Sequence, residues 1–368
     1  MSESQYNRYY YLLLPLSFLY GIGVRIRNLL FECGLLSSQQ YPVPVICVGN
    51  MTAGGTGKTP LVEYLIRLLS ANCRVGVLSR GYKRESSGYQ LANEKSTSPD
   101  IGDEMYQMKL KYPEAVMAVD GDRRRGIKNL LAMPEDVRPQ VILLDDAFQH
   151  RYVHPSLSIG GTEIHHLYYN DTLLPAGRLR EPVSAIRRAG IVIVSKCDLS
   201  LKPIDSRIIE NEMQLKPFQP LFFTGISYQP LKGIYPNECK HCTLNDIRKD
   251  DALILLTGIA NPSPLIEEMK KYSDNVKVMS FADHHAFTKS DVHEINEELS
   301  KLNAKNQMII CTEKDAARIR NNPYFPDKWR AFLYYVPIAI HFLYEKGNLF
   351  DELITKHITT FENSSILR

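Results

Sequence analysis

VICVGNMTAGGTGKTP, residues 45–60, decides the fold. The apolar run 45–48 has the composition of a strand buried on both faces, and it breaks directly into a loop carrying Gly54, Gly55 and Gly57. Lys58 and Thr59 close that loop, and Pro60 suits the first turn of a following helix. The glycines let several backbone N–H groups face one point, the helix N-terminus adds a positive field, and Lys58 reaches the β- and γ-phosphates of a nucleotide. Residues Thr52, Ala53, Gly54, Gly55, Thr56, Gly57, Lys58 and Thr59 are therefore expected to bind a nucleoside triphosphate, ATP or GTP, with Thr59 on Mg²⁺. The strict pattern asks for glycine five places before Gly57, where this chain has Thr52.

Outward from the loop, short apolar runs alternate with helical patterns, as in a parallel sheet flanked by helices. Runs 45–48, 74–78, 115–119, 141–144 and 191–194 read as strands, with helices at 61–69 and 127–131. The run VILLDD, 141–146, ends in two carboxylates, the arrangement that anchors a metal's water shell beside a phosphate loop. Asp145 is the expected metal partner and Asp146 a further site candidate. From 217 to 236 the text becomes PFQPLFFTGISYQPLKGIYP, which is extended and punctuated by proline, and it reads as an interdomain linker. Strands at 252–256, 276–281, 308–311 and 332–336 then mark a smaller C-terminal α/β domain. The expected division is an N-terminal helix over 1–34, a P-loop nucleotide-binding domain over 35–216, the linker over 217–236, and the second domain over 237–368.

Two domains suit a chain of 368 residues, because single cores stop growing near about 250–300 residues. The apolar share of 44% and charged share of 23% are those of a folded globular protein. A formal charge of +3 implies no nucleic-acid partner, and no obligate protein partner is implied either. Seven cysteines without framework spacing suit a reducing compartment, and Cys239 with Cys242 lacks the second ligand pair that a zinc site needs.

The apolar stretch 9–24 has no basic leader and no small-residue cleavage site after it, so it is expected to stay on the mature chain. With Pro15 and Ser17 interrupting it and Arg25 and Arg27 closing it, it reads as too short to span a bilayer. If Pro15 lies in the first helical turn and Gly34 caps the end, Ser17, Gly21, Arg25, Asn28 and Glu32 form a narrow polar stripe on one helix. The remaining face is apolar and needs a partner, either a membrane surface or the domain core.

Many separate stretches of the chain agree with one family. They include LLPLSFLYG (13–21), the phosphate loop, SRGY (79–82), GDE (102–104), DDAFQH (145–150), LPAGRLREP (174–182), GIANP (258–262), DHHAF (283–287) and TEKDA (312–316). Together they resemble tetraacyldisaccharide 4′-kinase, the kinase of the lipid A pathway, nearly end to end. This chain departs from the family pattern at Ala147 and Lys83, where glycine is usual, and at Arg178, where proline is usual.

The resemblance implies transfer of the ATP γ-phosphoryl group to the 4′-hydroxyl of an acylated glucosamine disaccharide 1-phosphate, at the cytoplasmic face of the bacterial inner membrane. Phosphoryl transfer needs an in-line acceptor, charge neutralisation and a late proton acceptor. Asp103, in the segment SPDIGDE read as a loop, is the candidate acceptor, and the resemblance pairs it with His284. Lys58 completes the catalytic set, and Glu104 joins Thr59 and Asp145 near the metal. Gln149, Arg180 and Glu181 match active-site positions of the family, and Arg80 and Arg123 are candidate phosphate contacts because guanidinium forks suit phosphate.

One stretch points elsewhere. IVIVSKCD, 191–198, resembles the lysine-x-aspartate element with which P-loop GTPases read guanine, with Asp198 as the base-reading carboxylate. The rivals are thus a GTP-hydrolysing or ATP-hydrolysing binding protein, and a soluble small-molecule kinase whose N-terminal helix is core.

Overall fold

The computed structural model describes residues 3–54, 57–239, 242–283, 285–302 and 306–366. Within them the strands run β1 (Val45–Asn50), β2 (Val75–Ser79), β3 (Gln90–Leu91), β4 (Val116–Val119), β5 (Val141–Asp145), β6 (Leu157–Glu163) and β7 (Ile191–Ser195). Then come β8 (Leu221–Tyr228), β9 (Lys232–Gly233), β10 (Ala252–Thr257), β11 (Asn275–Ser280), β12 (Gln307–Thr312), β13 (Leu333–Val336) and β14 (Ile338–Phe342). The helices are α1 (Glu3–Glu32), α2 (Lys58–Leu69), α3 (Ser98–Ile101), α4 (Asp103–Lys111), α5 (Arg123–Leu131), α6 (Pro203–Met213), α7 (Ser263–Lys270), α8 (Lys289–Lys301), α9 (Glu313–Ile319) and α10 (Gly347–Ile366).

The larger sheet has the order β14-β8-β7-β6-β1-β5-β2-β4-β3, and its seven central strands are parallel. Every residue of β1 is buried, with Ile46 and Val48 packed toward α2 and α10 and Val45 and Cys47 toward α5. Such two-sided burial explains an unbroken apolar strand where a half-exposed strand would alternate. On either side of β1 the chain order runs in opposite directions, to β5 on one side and β6 on the other. Ligands of open α/β sheets bind at the carboxyl ends of the strands at such a switch point, and the glycine loop leaves β1 there.

The second sheet, ordered β11-β10-β12-β13-β9, packs α8 and α9 around Trp329, Ile295 and Ile254. The boundaries differ from the sequence expectation in two ways. The stretch expected as a linker contains β8, which pairs in parallel with β7 and buries Phe222 and Thr224 completely. Its four prolines, 217, 220, 230 and 236, all fall outside the strand, so none removes a ladder N–H. After β13 the chain also leaves the second domain: β14 lies antiparallel to β8, with Ile338 opposite Tyr228, and Phe350 and Ile354 of α10 enter the core beside α2.

Helix α1 extends through Pro15 rather than beginning at it. The backbone after its last turn reverses at Gly34, φ 74°, as a left-handed cap requires. Its apolar stretch Tyr10–Glu32 is long enough to cross a membrane by length and composition, contrary to the expectation. The start of the expected polar stripe, Ser17 and Gly21, meets the protein, and Arg27, which lies outside the stripe, joins it there. Ser17 Oγ accepts from the Ala176 N–H at 2.9 Å, a Cβ on Gly21 would meet Leu173 at 2.7 Å, and Arg27 pairs with the buried Glu181. The opposite side stands open, with Leu12 72% and Phe18 65% exposed, so the domain core does not cover it.

Candidate active site

The glycine loop turns into α2 at Gly57, whose φ of 73° places it in the left-handed region. Gly55 and Thr56 lie outside the described residues. The first half of the loop is fastened by backbone bonds to the LPAGRLREP segment: Ala53 N donates to Arg178 O at 2.7 Å, and Arg180 N to Met51 O at 2.9 Å. Thr52, which replaces the usual glycine, is buried and bridges Leu179.

Side chains close a ring over this end of the sheet. Lys58 Nζ donates to Asn50 Oδ1 at 2.9 Å and lies 3.3 Å from Asp146 Oδ1. Arg180 Nη1 donates to the same Asp146 oxygen at 2.9 Å and to Gln149 Oε1 at 3.3 Å, and Gln149 Nε2 returns to the Asn50 carbonyl at 2.8 Å. Burial works to raise the Asp146 carboxyl, but Lys58 and Arg180 outweigh it and hold it below the ordinary carboxylate range.

Asp145, one residue earlier, has the opposite environment. It is buried at the end of β5, and Ser79 Oγ donates to its Oδ2 at 3.0 Å. Burial pushes its pKa up to about 6, with the Glu104 and Asp146 carboxylates adding to the rise. Its Oδ1 is buried without a hydrogen-bond partner among the described residues. A buried orphan carboxylate oxygen facing a second carboxylate is an arrangement that a divalent cation satisfies. Thr59 lies in the first turn of α2, next to Lys58.

The segment expected as a loop around Asp103 is helical. α3 and α4 abut at Gly102, φ 86°, where an added Cβ would meet the Tyr82 carbonyl at 2.9 Å. The motifs SRGY and GDE therefore meet backbone to backbone, and Lys83, where the family usually has glycine, itself sits at φ 60°. Asp103 is the first residue of α4 and Gly102 its cap, so Asp103 is not the N-cap.

Asp103 receives a forked contact from α9 of the second domain. Arg318 donates to its Oδ2 through Nη2 at 2.8 Å and Nε at 3.2 Å, and Ser98 Oγ donates to Oδ1. Arg318 is fixed in turn by Asp315 at 3.0 Å. Beside this contact, Lys314 Nζ pairs with Glu104 at 2.8 Å. His284 lies outside the described residues. Its neighbour His285 is occupied elsewhere, with Nε2 2.8 Å from Asp291 Oδ2 and its ring stacked on Phe281.

Other candidates do not join this cluster. Arg123 is 3% exposed and donates to the carbonyls of Asp120 and Asp145, so its guanidinium supports the strand ends from within rather than meeting a ligand. Glu181 is fully buried between Arg27 and Arg188 and fastens α1 to the domain. Arg80 is exposed and has no ion pair or hydrogen bond among the described residues. At the SKCD element, Asp198 accepts from the N–H and hydroxyl of Ser200, and Lys196 pairs with Glu163 at 3.1 Å, so both residues of the guanine-reading pattern are engaged within the protein. Asn50, Ser79, Lys314 and Arg318 were not among the expected site residues. Asn50 lies two residues beyond the apolar run 45–48, and Lys314 lies within TEKDA and Arg318 two residues after it, where nothing local marks either as a site residue.

A sequence model of the tetraacyldisaccharide-1-P 4′-kinase family matches residues 9–359. The tetraacyldisaccharide 4′-kinase of Parabacteroides distasonis is 52% identical over 358 residues, covering 97% of each chain. That of Bacteroides thetaiotaomicron is 46% identical, covering 94% of this chain and 92% of its own. Among solved structures, LpxK from Aquifex aeolicus in complex with ATP superposes with a TM-score of 0.73 at 28% identity, covering 95% of this chain and 99% of that one. A phosphate loop on the central strand, acids at its mouth that are met by cations of the second domain and relatives matching end to end lead to one conclusion: this chain belongs to the tetraacyldisaccharide 4′-kinase family.

Proposed function

We infer that this protein transfers the γ-phosphoryl group of ATP to the 4′-hydroxyl of a tetraacyldisaccharide 1-phosphate, giving the bisphosphorylated lipid A precursor. The observation that carries this reading is the ring Asn50–Lys58–Asp146–Arg180–Gln149 at the end of β1, which presents two cations at the mouth of a phosphate loop beside the buried Asp145. In the reaction the sugar oxygen attacks the γ-phosphorus, the bond to the β–γ bridging oxygen breaks, and ADP leaves. Lys58 and Arg180 face the charge that develops on the transferring group, and the ring sets their positions before substrate arrives. Asp103 takes the acceptor's proton late, with His284 of the second domain as its orienter. A bound Mg²⁺ would neutralise phosphate charge, held by Asp145, Thr59 and Glu104.

The open side of α1 supports a peripheral position at the cytoplasmic face of the inner membrane. Leu12, Leu16, Phe18, Leu19, Ile26 and Leu29 are all more than half exposed on a helix fastened to the domain by its other side. An apolar face of this kind inserts at the level of lipid headgroups and keeps the site close to an acylated substrate. The test is phosphate transfer from γ-labelled ATP to acylated disaccharide 1-phosphate, run beside a deacylated acceptor and labelled GTP. Transfer to the acylated acceptor from ATP is expected. Hydrolysis without transfer, or a preference for GTP, would overturn the reading.

A further inference from the structure

At the far end of α4, away from the acids, a second charged cluster lies within the protein. Lys111 Nζ is 2.6 Å from Glu63 Oε2 and 3.0 Å from Glu313 Oε1, and both carboxylates have side chains less than a tenth exposed. Gln107 Nε2 donates to Glu63 Oε1 at 3.1 Å, and the Ile338 N–H donates to Glu313 Oε2 at 3.1 Å. Burial and the nearby Glu313 push Glu63 up to about 7 against the pull of Lys111. Burial opposes the charge on Lys111, but the two carboxylates prevail and raise its pKa.

Each partner belongs to a different helix. Glu63 is in α2, the helix that begins at Lys58. Lys111 ends α4, which begins with Asp103 and Glu104. Glu313 begins α9, which carries Lys314 and Arg318, and Ile338 begins the strand that returns to the first domain. A buried charge triad contributes little net stability compared with apolar packing of the same volume, but it specifies one geometry, because breaking any pair leaves an unpaired buried charge. α4 is thus tied to α9 at both ends, by Arg318 and Lys314 at its start and by Glu313 at its finish, and to the nucleotide helix at one end only.

We propose that Lys111 is a positioning residue for phosphoryl transfer, a joint with Glu63 and Glu313 that registers the acid-bearing helix α4 against both the nucleotide helix α2 and the second-domain helix α9. This rests on the assignment of Asp103 and Glu104 to the reaction. The joint touches neither nucleotide nor acceptor, so it acts on the placement of groups at the other end of α4, where displacements of about 1 Å can cost on the order of 10²-fold in rate.

The test compares full-length protein with the triple variant Glu63→Gln/Lys111→Met/Glu313→Gln, which removes all three charges together at nearly constant volume. Thermal unfolding and affinity for a fluorescent ATP analogue should stay close to the parent. The kcat for transfer to acylated disaccharide 1-phosphate should fall about 10- to 100-fold, with KM for ATP unchanged. Lys111→Met alone should unfold earlier, because two buried carboxylates lose their partner. If the triple variant fails to fold, Glu313→Gln, which keeps an acceptor for the Ile338 N–H, takes its place, and a several-fold loss of kcat at parental ATP affinity is expected. A folded variant with parental kcat, or one that loses ATP affinity in step with kcat, overturns the proposal. Asp103→Ala in the same assay separates the two levels. If it stays active the acid assignment fails, and if it is inactive while the charge-free variant is fully active only the joint fails.

Discussion

The two halves of the site are built in different ways. The nucleotide half lies within one domain and has a local centre: Asn50 and Lys58 are eight residues apart, and one strand, one loop and one helix place both. The acid half is assembled from a distance, since Asp103 and Arg318 are separated by 215 residues and Glu104 and Lys314 by 210. A local half is rigid as soon as its strand is buried. A distant half exists only when the two domains sit correctly against each other, so it is the half through which position can control chemistry.

The contrast can be broken most forcefully in the nucleotide half. Lys58→Ala removes a cation aimed at the transferring group, and kcat should fall by at least about 10³-fold with the circular dichroism spectrum unchanged. Near-parental turnover in a folded variant would end the assignment of the loop.

Next in size is the distant half. Arg318→Ala should lower kcat on the order of 10²-fold while leaving ATP affinity alone, and Arg318→Lys should recover little, because a single ammonium cannot reproduce the fork on Asp103. Combining it with Asp103→Ala should cost little more than Asp103→Ala alone. Independent, additive losses in kcat would show that Arg318 does not act through Asp103.

The open face of α1 extends the comparison to a surface that neither half uses. Replacing Leu12, Leu16 and Leu19 together by serine should shift the protein from floating with anionic vesicles to the soluble fraction, with several-fold weaker action on acylated substrate. Activity on that substrate should decline without a change in unfolding temperature. Unchanged flotation would remove the face from membrane binding.

The smallest effect is one of pH. Glu63 has its folded-state pKa raised to about 7 chiefly by burial, so its protonated form favours the folded protein. That contribution is present in full below the unfolded value of about 4.5 and is lost as pH rises through about 7. Glu63→Gln should therefore flatten the fall in unfolding temperature between those values, read by thermal melts across a pH series. An unchanged slope would place the titration elsewhere.

Much of the nucleotide half was legible because its signals are short in sequence: a buried strand, glycines at fixed offsets and VILLDD pointing its carboxylates at the same spot. Strand β6 was missed because Gly160 and Gly161 interrupt it, although Gly160 is packed tightly against Ala189 and Ile186. β8 was read as a connector because prolines bracket it. The second domain's contribution could not be read from spacing, since nothing local marks Arg318 as the partner of Asp103. The periodicity of α1 separates its two faces but does not say which of the apolar side's two possible partners covers it, because a wide apolar face suits a membrane surface and a domain core equally; Ser17 and Gly21, in the polar stripe, are where the helix meets its own protein.

The pairing of Ile338 with Tyr228 has a consequence for how this enzyme could have arisen. β8 and β14 are neighbouring antiparallel strands, and Gln229 N still donates to Pro337 O at 2.8 Å, as it would beside a tight turn. Residues 229–337, a whole domain, thus occupy the place of a hairpin loop, with their two ends only about 5 Å apart. A parenthesis of this kind can be opened or closed without rewriting the sentence around it. An Asn-Gly turn in its place would leave the nine-stranded sheet continuous, retain the nucleotide cradle and remove Lys314 and Arg318 at one stroke. Such an architecture is reachable by a single insertion into one hairpin, at the edge of the sheet where a loop costs least.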